Sequence, residues 1–280
     1  MIEPLVERKY GVRLTLAYDG TAFAGFQRQQ GQRTVQQTLA EAAARVCQHG
    51  VEVFGASRTD SGVHAEGQVV AFGCDRVLTP RRWVYALNRY LPPDISVRSA
   101  EPCAPDYQPR FDASFKRYRY LFHLGPARDA LLRHRAWHLG RHVRRVYPDR
   151  DRLEGGVLQL DLERMQQGAA MLEGRHDFAA FRAAADQRET TVRTMHEVRI
   201  ERAYAGDPEL LALHVQGSAF MKNMVRIMAG TLVDLGSGRL PLERLEALLQ
   251  PGASRRDAGV TAPPEGLTLV SVTLGREQPI

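Results

Sequence analysis

The sequence predicts an α+β fold of two ferredoxin-like halves, each an antiparallel sheet with helices on one face, set side by side around a central active-site cleft. Three observations carry this expectation. The chain has 280 residues, against a prior of about 150 per domain, so two domains are the default. Apolar periodicity switches between strand and helix spacing in the order β-α-β-β-α-β, and does so twice. Between Ala100 and Arg110 the prolines at 102, 105 and 109 break regular structure. The boundary therefore falls there, with 1–105 as the N-terminal half and 106–280 as the C-terminal half.

The first strand is the alternating run Val12, Leu14, Leu16, Tyr18, ending at Asp19-Gly20. The loop from Thr21 to Arg33 holds Phe23, Phe26, Gln27, Arg28, Gln29 and Gln30 and reads as an exposed aromatic and polar patch. Thr34 and Gln37 form a capping box for a helix with Val35, Leu39, Ala42, Ala43 and Val46 on its apolar face, stopped by Gly50. Two apolar runs, Val51 to Phe54 and Gln68 to Phe72, give a pair of strands. Thr79-Pro80 opens a second helix with Trp83, Leu87 and Tyr90 inward, and Ile95 to Val97 is a short strand. The second half repeats the pattern. Its elements are a strand over Lys116 to Leu124, a helix capped by Asp161 and ended by Gly174, and strands at about 194–203 and 210–216 joined by Gly206-Asp207-Pro208. An apolar helix from about Phe220 to Leu235, a shorter one from Pro241 to Gln250, and a strand over Leu267 to Val272 complete it. The basic stretch 125–160 takes no clear assignment.

Bulk properties exclude several classes. The chain is 44% hydrophobic, as expected of a soluble globular protein. Its first ten residues hold no apolar run long enough for a signal peptide, and Arg226 and Asp234 interrupt the best later candidate for a membrane span. Three widely spaced cysteines, 47, 74 and 103, without a Cys-x-x-Cys pair, fit a reducing cytoplasm better than a disulfide framework or a zinc site. Net charge is +6, and twelve Arg and Lys against four Asp between Arg110 and Arg152 give that segment +8. Arginines interleaved with Tyr118, Tyr120, Phe122, Trp137 and Tyr147 suit a phosphate backbone and stacked bases. A solvated charged face is the bland alternative.

The stretch on which the rest turns is Gly55 to Ala65, between the two central strands. Glycines at 55 and 62 permit sharp turning, small residues leave room beside Asp60, and Arg58 two residues away favours an ionised carboxylate suited to a nucleophile or base. Taken alone, Thr-Asp-Ser-Gly is also an ordinary turn. Arg226 lies in the middle of an otherwise apolar helix, where an unpaired guanidinium is costly. Asp60 is the expected partner. Asp234, eight residues on, lies about 12 Å away along the axis.

Together these residues resemble the tRNA pseudouridine synthase A family. The likeness runs through Tyr18-Asp19-Gly20, Phe26-Gln27-Arg28-Gln29, Thr34-Val35-Gln36, the whole of Gly55 to Ala65, Asn88 with Leu91-Pro92, Lys116 to Tyr120, Met224-Val225-Arg226 and Glu265-Gly266-Leu267. It covers nearly the whole chain, and Arg-Thr-Asp-x-Gly-Val-His is its most specific part. The resemblance implies isomerisation of uridine to pseudouridine at positions 38 to 40 of the tRNA anticodon stem-loop, by a cytoplasmic homodimer with no cofactor or metal. It makes Asp60 the catalytic aspartate, Arg226 its ion-pair partner and Tyr118 the aromatic beside the target base. Arg58 becomes a nucleic-acid contact and Leu267 an apolar wall of the uracil pocket. Gln27, Arg28 and Lys222 are expected to touch the RNA. Ser61, Phe26, Lys222-Asn223 and Gln108-Pro109 depart from the family's usual residues, and 144–160 is longer than usual.

Other readings compete at single positions. His134, His138 and His142 have helical spacing for a metal, but Gly140 and the neighbouring arginines oppose one. His64 reads as a general acid or as a loop histidine bonded to backbone. Tyr120 and Phe122 read as core. The rival class is a non-catalytic RNA-binding protein, which would keep the basic segment but not need a carboxylate beside a buried arginine.

Overall fold

A computed structural model describes residues 8–140, 153–154, 157–158, 160–186 and 188–275. By packing, the chain divides into two compact units. The first runs to Ser114 and takes in the C-terminal strand from Leu269, and the second runs from Phe115 to Thr268. The architecture is mixed α+β.

In the first unit, β1 (Tyr10–Tyr18) is the central strand, antiparallel to β3 (His64–Cys74) on one side and to β4 (Ile95–Cys103) on the other. The short β2 (Phe54–Gly55) pairs with β3 through Phe54↔Ala71 and Gly55↔Val70. The last strand of the chain, Leu267–Leu274, also joins β3. Alternation places Val12, Leu14, Leu16 and Tyr18 in the core. Against that face lie α1 (Val35–Cys47) and α2 (Pro80–Asn88), which bury Val35, Leu39 and Val46 and Trp83 and Leu87 respectively.

In the second unit, β5 (Ala113–His123) pairs antiparallel with the strand Leu210–Gly217, that strand with Val192–Arg202, and Val192–Arg202 with the short strand Gly174–Asp177. In chain order these are β11, β10 and β9. Between β5 and β9 come β6 (Trp137–His138), parallel to β5, and the two-stranded pair β7 (Leu153–Glu154) and β8 (Val157–Leu158). The short α3 (Pro109–Asp112) leads into β5. Three longer helices complete the chain: α4 (Leu162–Met171), α5 (Met224–Gly236) and α6 (Leu242–Leu248), before β12 (Leu267–Leu274). Asp161 caps α4 by accepting from the Arg164 amide at 2.9 Å. Gly168 of α4 lets that helix approach Leu232 and Leu235 of α5. Every residue of α5 is buried except Arg226.

Several expectations are corrected. Helix α5 begins at Met224 because Asn223 adopts a left-handed backbone, φ 61°, so Arg226 stands in the first turn and not mid-helix. Helix α1 ends at Gln48, also left-handed, before Gly50 is reached. Thr34 caps α1, accepting from the Gln37 amide at 3.4 Å, but the Gln37 side chain turns to Glu41 at 2.8 Å, leaving the reciprocal half of the box unformed. Tyr90 lies beyond α2 and is 44% exposed. Phe23 and Phe26 are buried, so only the polar part of the 21–33 patch faces solvent. His134 is in a turn and His138 on β6, so the two share no helix; His142 lies outside the described residues, as does most of 144–160. No helix among the described residues is long and apolar enough to cross a membrane.

Candidate active site

The Asp60 loop is fixed from both sides by groups of its own unit. The amide of Ala56 donates to the Val69 carbonyl at 2.8 Å, continuing the β2–β3 pairing. Gln68, fully buried, then grips the next residue with both ends of its side chain: Nε2 donates to the Ser57 carbonyl at 2.8 Å, and Oε1 accepts from the Ser57 amide at 3.3 Å. Thr59 is buried, its hydroxyl 2.8 Å from that of Tyr18, and its carbonyl accepts from the Phe26 amide at 3.0 Å. Past Asp60, the Ser61 hydroxyl and the Gly62 amide both donate to the Phe23 carbonyl at 3.3 Å, and the Val63 amide closes a turn on the Asp60 carbonyl at 3.1 Å. Residues 57, 59, 61, 62 and 63 around Asp60 are each tied down by backbone or by a neutral side chain.

Two glycines make this path possible, for different reasons. Gly62 has φ +79°, which a side chain resists. Gly55 has no such backbone; a Cβ there would collide with Cε1 and Cζ of the Phe26 ring. Asp60 itself is half-buried, and among the described residues its carboxylate meets no hydrogen-bond donor and no ion-pair partner. Arg58 is exposed and does not reach it, so the guanidinium expected to hold the carboxylate from two residues away does not do so. Gln27 and Arg28 are exposed on the adjoining loop, where the Arg28 amide donates to Gln36 Oε1 at 2.8 Å. His64 is the first residue of β3, buried, with Nδ1 accepting from the Gly20 amide at 3.0 Å. That bond puts the lone pair on Nδ1 and leaves the contact of this nitrogen with Asp19 at 3.3 Å without a proton to share.

The remaining predicted residues lie in the second unit. Tyr118 is buried on β5 and meets the Phe220 ring edge-on, centroids 4.9 Å apart. Its neighbour on the same face, Tyr120, is wholly buried between Phe122 and Trp137 and donates its hydroxyl to the Pro263 carbonyl at 2.7 Å. Burial above all, with the charge of Glu265 adding and that of Arg226 opposing, holds this phenol well above its ordinary pKa. Tyr120 is core, as expected. Arg226 is half-buried, its Nε 2.7 Å from the Ala262 carbonyl and one Nη 2.9 Å from Asn223 Oδ1. Asp234 stands 3.6 Å from Arg239. Leu267, buried, opens β12, and Lys222 is exposed just before α5.

Sequence reasoning missed Gln68, Tyr18 and Thr59 as the supports of the loop. One signal was available: Gln68 is a polar side chain inside the apolar run of β3, and a buried amide must be spent on hydrogen bonds.

A family model described as tRNA pseudouridine synthase matches residues 15–112 and 169–273. Asp60, Arg58, Gln27, Arg28, Lys222, Arg226 and Leu267 fall inside the match, whereas Tyr118 and most of the basic segment fall in the gap. The chain is 41% identical over 262 residues to tRNA pseudouridine synthase A of Geobacter sulfurreducens, covering 93% of this chain and 98% of that protein. It is 42% identical over 262 residues to tRNA pseudouridine synthase A of Pelobacter propionicus, covering 94% and 98%. To tRNA pseudouridine synthase A of Acetivibrio thermocellus it is 38% identical over 261 residues, covering 93% and 98%.

Proposed function

The chain belongs to the tRNA pseudouridine synthase family, isomerases that act on tRNA, and from that premise we propose that it converts uridine to pseudouridine at positions 38 to 40 of the anticodon stem-loop with Asp60 as the reacting carboxylate. The observation that carries this reading is the state of Asp60: a half-buried carboxylate on a loop pinned at 57, 59, 61 and 62, with no partner among the described residues. A structural aspartate in a turn would be spent on nearby donors.

In this reading the target uridine leaves its stack, at a cost of a few kcal/mol, so that its glycosidic bond can be reached. The C1′–N1 bond breaks and C1′–C5 forms; N1 gains a proton and C5 loses one. Asp60 either adds covalently to the nucleotide or takes the 2′ proton to give a glycal, and both paths need it ionised. In this reading Arg226 becomes its ion-pair partner only when the nucleotide is bound. Tyr118 lies beside the base, with its hydroxyl serving proton transfer at C5. Leu267 is an apolar wall for the uracil, Arg58 enters the gap left by the extruded base, and Gln27, Arg28 and Lys222 hold the RNA. The basic segment from Arg110 to Arg152 serves as the docking surface.

The finer architecture belongs to the same reading. The placement of β1 between β4 and β3, with the short β2 paired to β3, supports a split βαβ, ferredoxin-like half, and the division at 1–105 and 106–280 makes the second half its counterpart. The working unit is a cytoplasmic homodimer.

The test is tritium release from uracil C5 in labelled tRNA by the purified chain alone. Release that is lost in Asp60→Asn while tRNA binding persists is the expected result. No release from the unaltered chain, with tRNA still bound, would leave an RNA-binding scaffold in place of an enzyme.

A further inference from the structure

Arg182 and Arg188 lie on the connection that leads into β10, Arg193 is the second residue of that strand, and Lys222 lies two residues before α5. The acidic groups on the same connection are Asp186 and the exposed Glu189, so four cations face two carboxylates. Asp186 is the organiser. Its side chain is only 5% exposed, and it reaches both segments: Oδ2 accepts from the Lys222 amide at 2.7 Å, and Oδ1 from the Arg188 amide at 3.1 Å. The Ala183 amide closes a second link to the Lys222 carbonyl at 3.2 Å, and Arg188 donates to the Phe220 carbonyl. Burial works against the charge of Asp186, yet these amides and the charges of Arg188 and Arg182 outweigh it, so its pKa is lowered.

The buried carboxylate is therefore spent on backbone amides and on Arg188, 3.4 Å away. Arg182 and Arg193 each give one Nη–H to a carbonyl, that of Arg188 at 3.0 Å and that of Val192 at 2.6 Å, so among the described residues their charges and that of Lys222 meet no carboxylate in an ion pair. Among the described residues the Lys222 ammonium makes no hydrogen bond or ion pair. Arg193 is half-buried, and among the described residues its Nε is shut off from solvent and without an acceptor, an arrangement that costs free energy. The site also sits at the N-terminal end of α5, where no side chain caps the helix and no acid occupies the first turn. The helix dipole favours an anion there. Phe220, whose carbonyl Arg188 holds, packs edge-on against Tyr118.

We propose that Arg182, Arg193 and Lys222 form a binding site for a backbone phosphate of the RNA strand that carries the target uridine, with Asp186 as the positioning residue that fixes the two segments presenting them. The ligand class rests on the tRNA reading above. The site, however, answers to a different measurement.

The experiment is a salt titration of tRNA binding to the full chain, comparing Arg193→Gln, Lys222→Gln and Asp186→Asn with Arg256→Gln as an exposed control. Each lost phosphate contact lowers the slope of log affinity against log salt by about 0.7 to 0.9, and this is expected for Arg193→Gln and Lys222→Gln but not for the control. Asp186→Asn separates positioning from bulk charge. It makes the loop more positive, so electrostatics alone predicts tighter binding, whereas loss of the organiser predicts binding weakened several-fold. Unchanged slopes in both Gln variants overturn the site, and so does an Asp186→Asn protein that melts like the parent and binds as well or better. Should Asp186→Asn fail to fold, the two Gln variants decide. Normal tritium release with unchanged slopes sinks only this site; altered slopes without tritium release sink the isomerase reading and leave the phosphate site standing.

Discussion

The Asp60 loop and the connection around Asp186 solve the same problem in opposite ways. Both must hold irregular backbone at a defined place, and both do so by side chains that bond to main-chain groups from a distance in sequence. In the first, the staples are neutral: the Gln68 amide, the Tyr18 and Thr59 hydroxyls, and the Phe23 carbonyl. The one carboxylate on the loop, Asp60, is kept out of the scaffold. In the second, the staple is itself a carboxylate, and the charges left available are cations. A group that must react is best excluded from the bonds that hold its own loop, because any bond to its charged form lowers its basicity and must be broken on the way to the transition state.

That contrast is broken most directly by neutralising each aspartate. Asp60→Asn should leave the urea midpoint nearly unchanged, since no partner is lost, while turnover falls by about 10³-fold or more, the scale on which a reacting group is missed. A large drop in stability would place Asp60 in the scaffold after all. Next in size is Tyr118→Phe. The ring is already packed against Phe220, so stacking survives, and loss of a proton-transfer hydroxyl should slow single-turnover product formation by about 10² to 10⁴-fold. Unchanged kinetics would remove the hydroxyl from the chemistry.

Much of the first region was legible in the sequence because its cues are local. Thr34 and Thr79 precede apolar faces of helical spacing and cap their helices as expected, and the Gly-rich turn between two apolar runs does present Asp60. What escaped was set at long range. Phe23 and Phe26 looked exposed because loop aromatics carry no periodicity, yet Gly55 opens the space into which Phe26 packs. The helix start at Met224 was hidden by the apolar residues before it, because nothing local signals that Asn223 turns left-handed. Asp186 had no signal at all: its main partner, the Lys222 amide, is thirty-six residues away, and an isolated Asp in a polar stretch reads as solvated surface. The Arg226 guanidinium was expected to need an acid, whereas the Ala262 carbonyl and Asn223 also serve it.

Gln68 sharpens the comparison from the scaffold side. In Gln68→Leu both bonds to Ser57 go, and a buried polar group left unmatched costs about 1–3 kcal/mol. The urea midpoint should fall at constant m, the sign of lost stability without a changed unfolded state. Turnover should fall with it while tRNA affinity holds, because the loop still exposes Asp60 but no longer fixes it. A variant as stable and active as the parent would mean that the strand ladder alone holds the loop.

The smallest effect distinguishes the two kinds of staple by acid. A neutral amide such as Gln68 does not titrate, so protection of the Ser57 amide from hydrogen exchange, corrected for the intrinsic rate, should show no step as pH falls toward the carboxylate range. Asp186 is different. Its folded pKa is lowered, against burial, by the Lys222 and Arg188 amides and the Arg188 and Arg182 charges, so the stability it lends is fully present above the ordinary aspartate value. It is lost only as pH falls through the lower, folded value. Protection of the Lys222 and Arg188 amides should therefore stay level from neutrality down to the ordinary aspartate value and decline from there to the lower, folded value, and the decline should vanish in Asp186→Asn. A decline already complete at or above the ordinary aspartate value would mean that the carboxylate is not held by those amides, and the contrast between the two loops would fail.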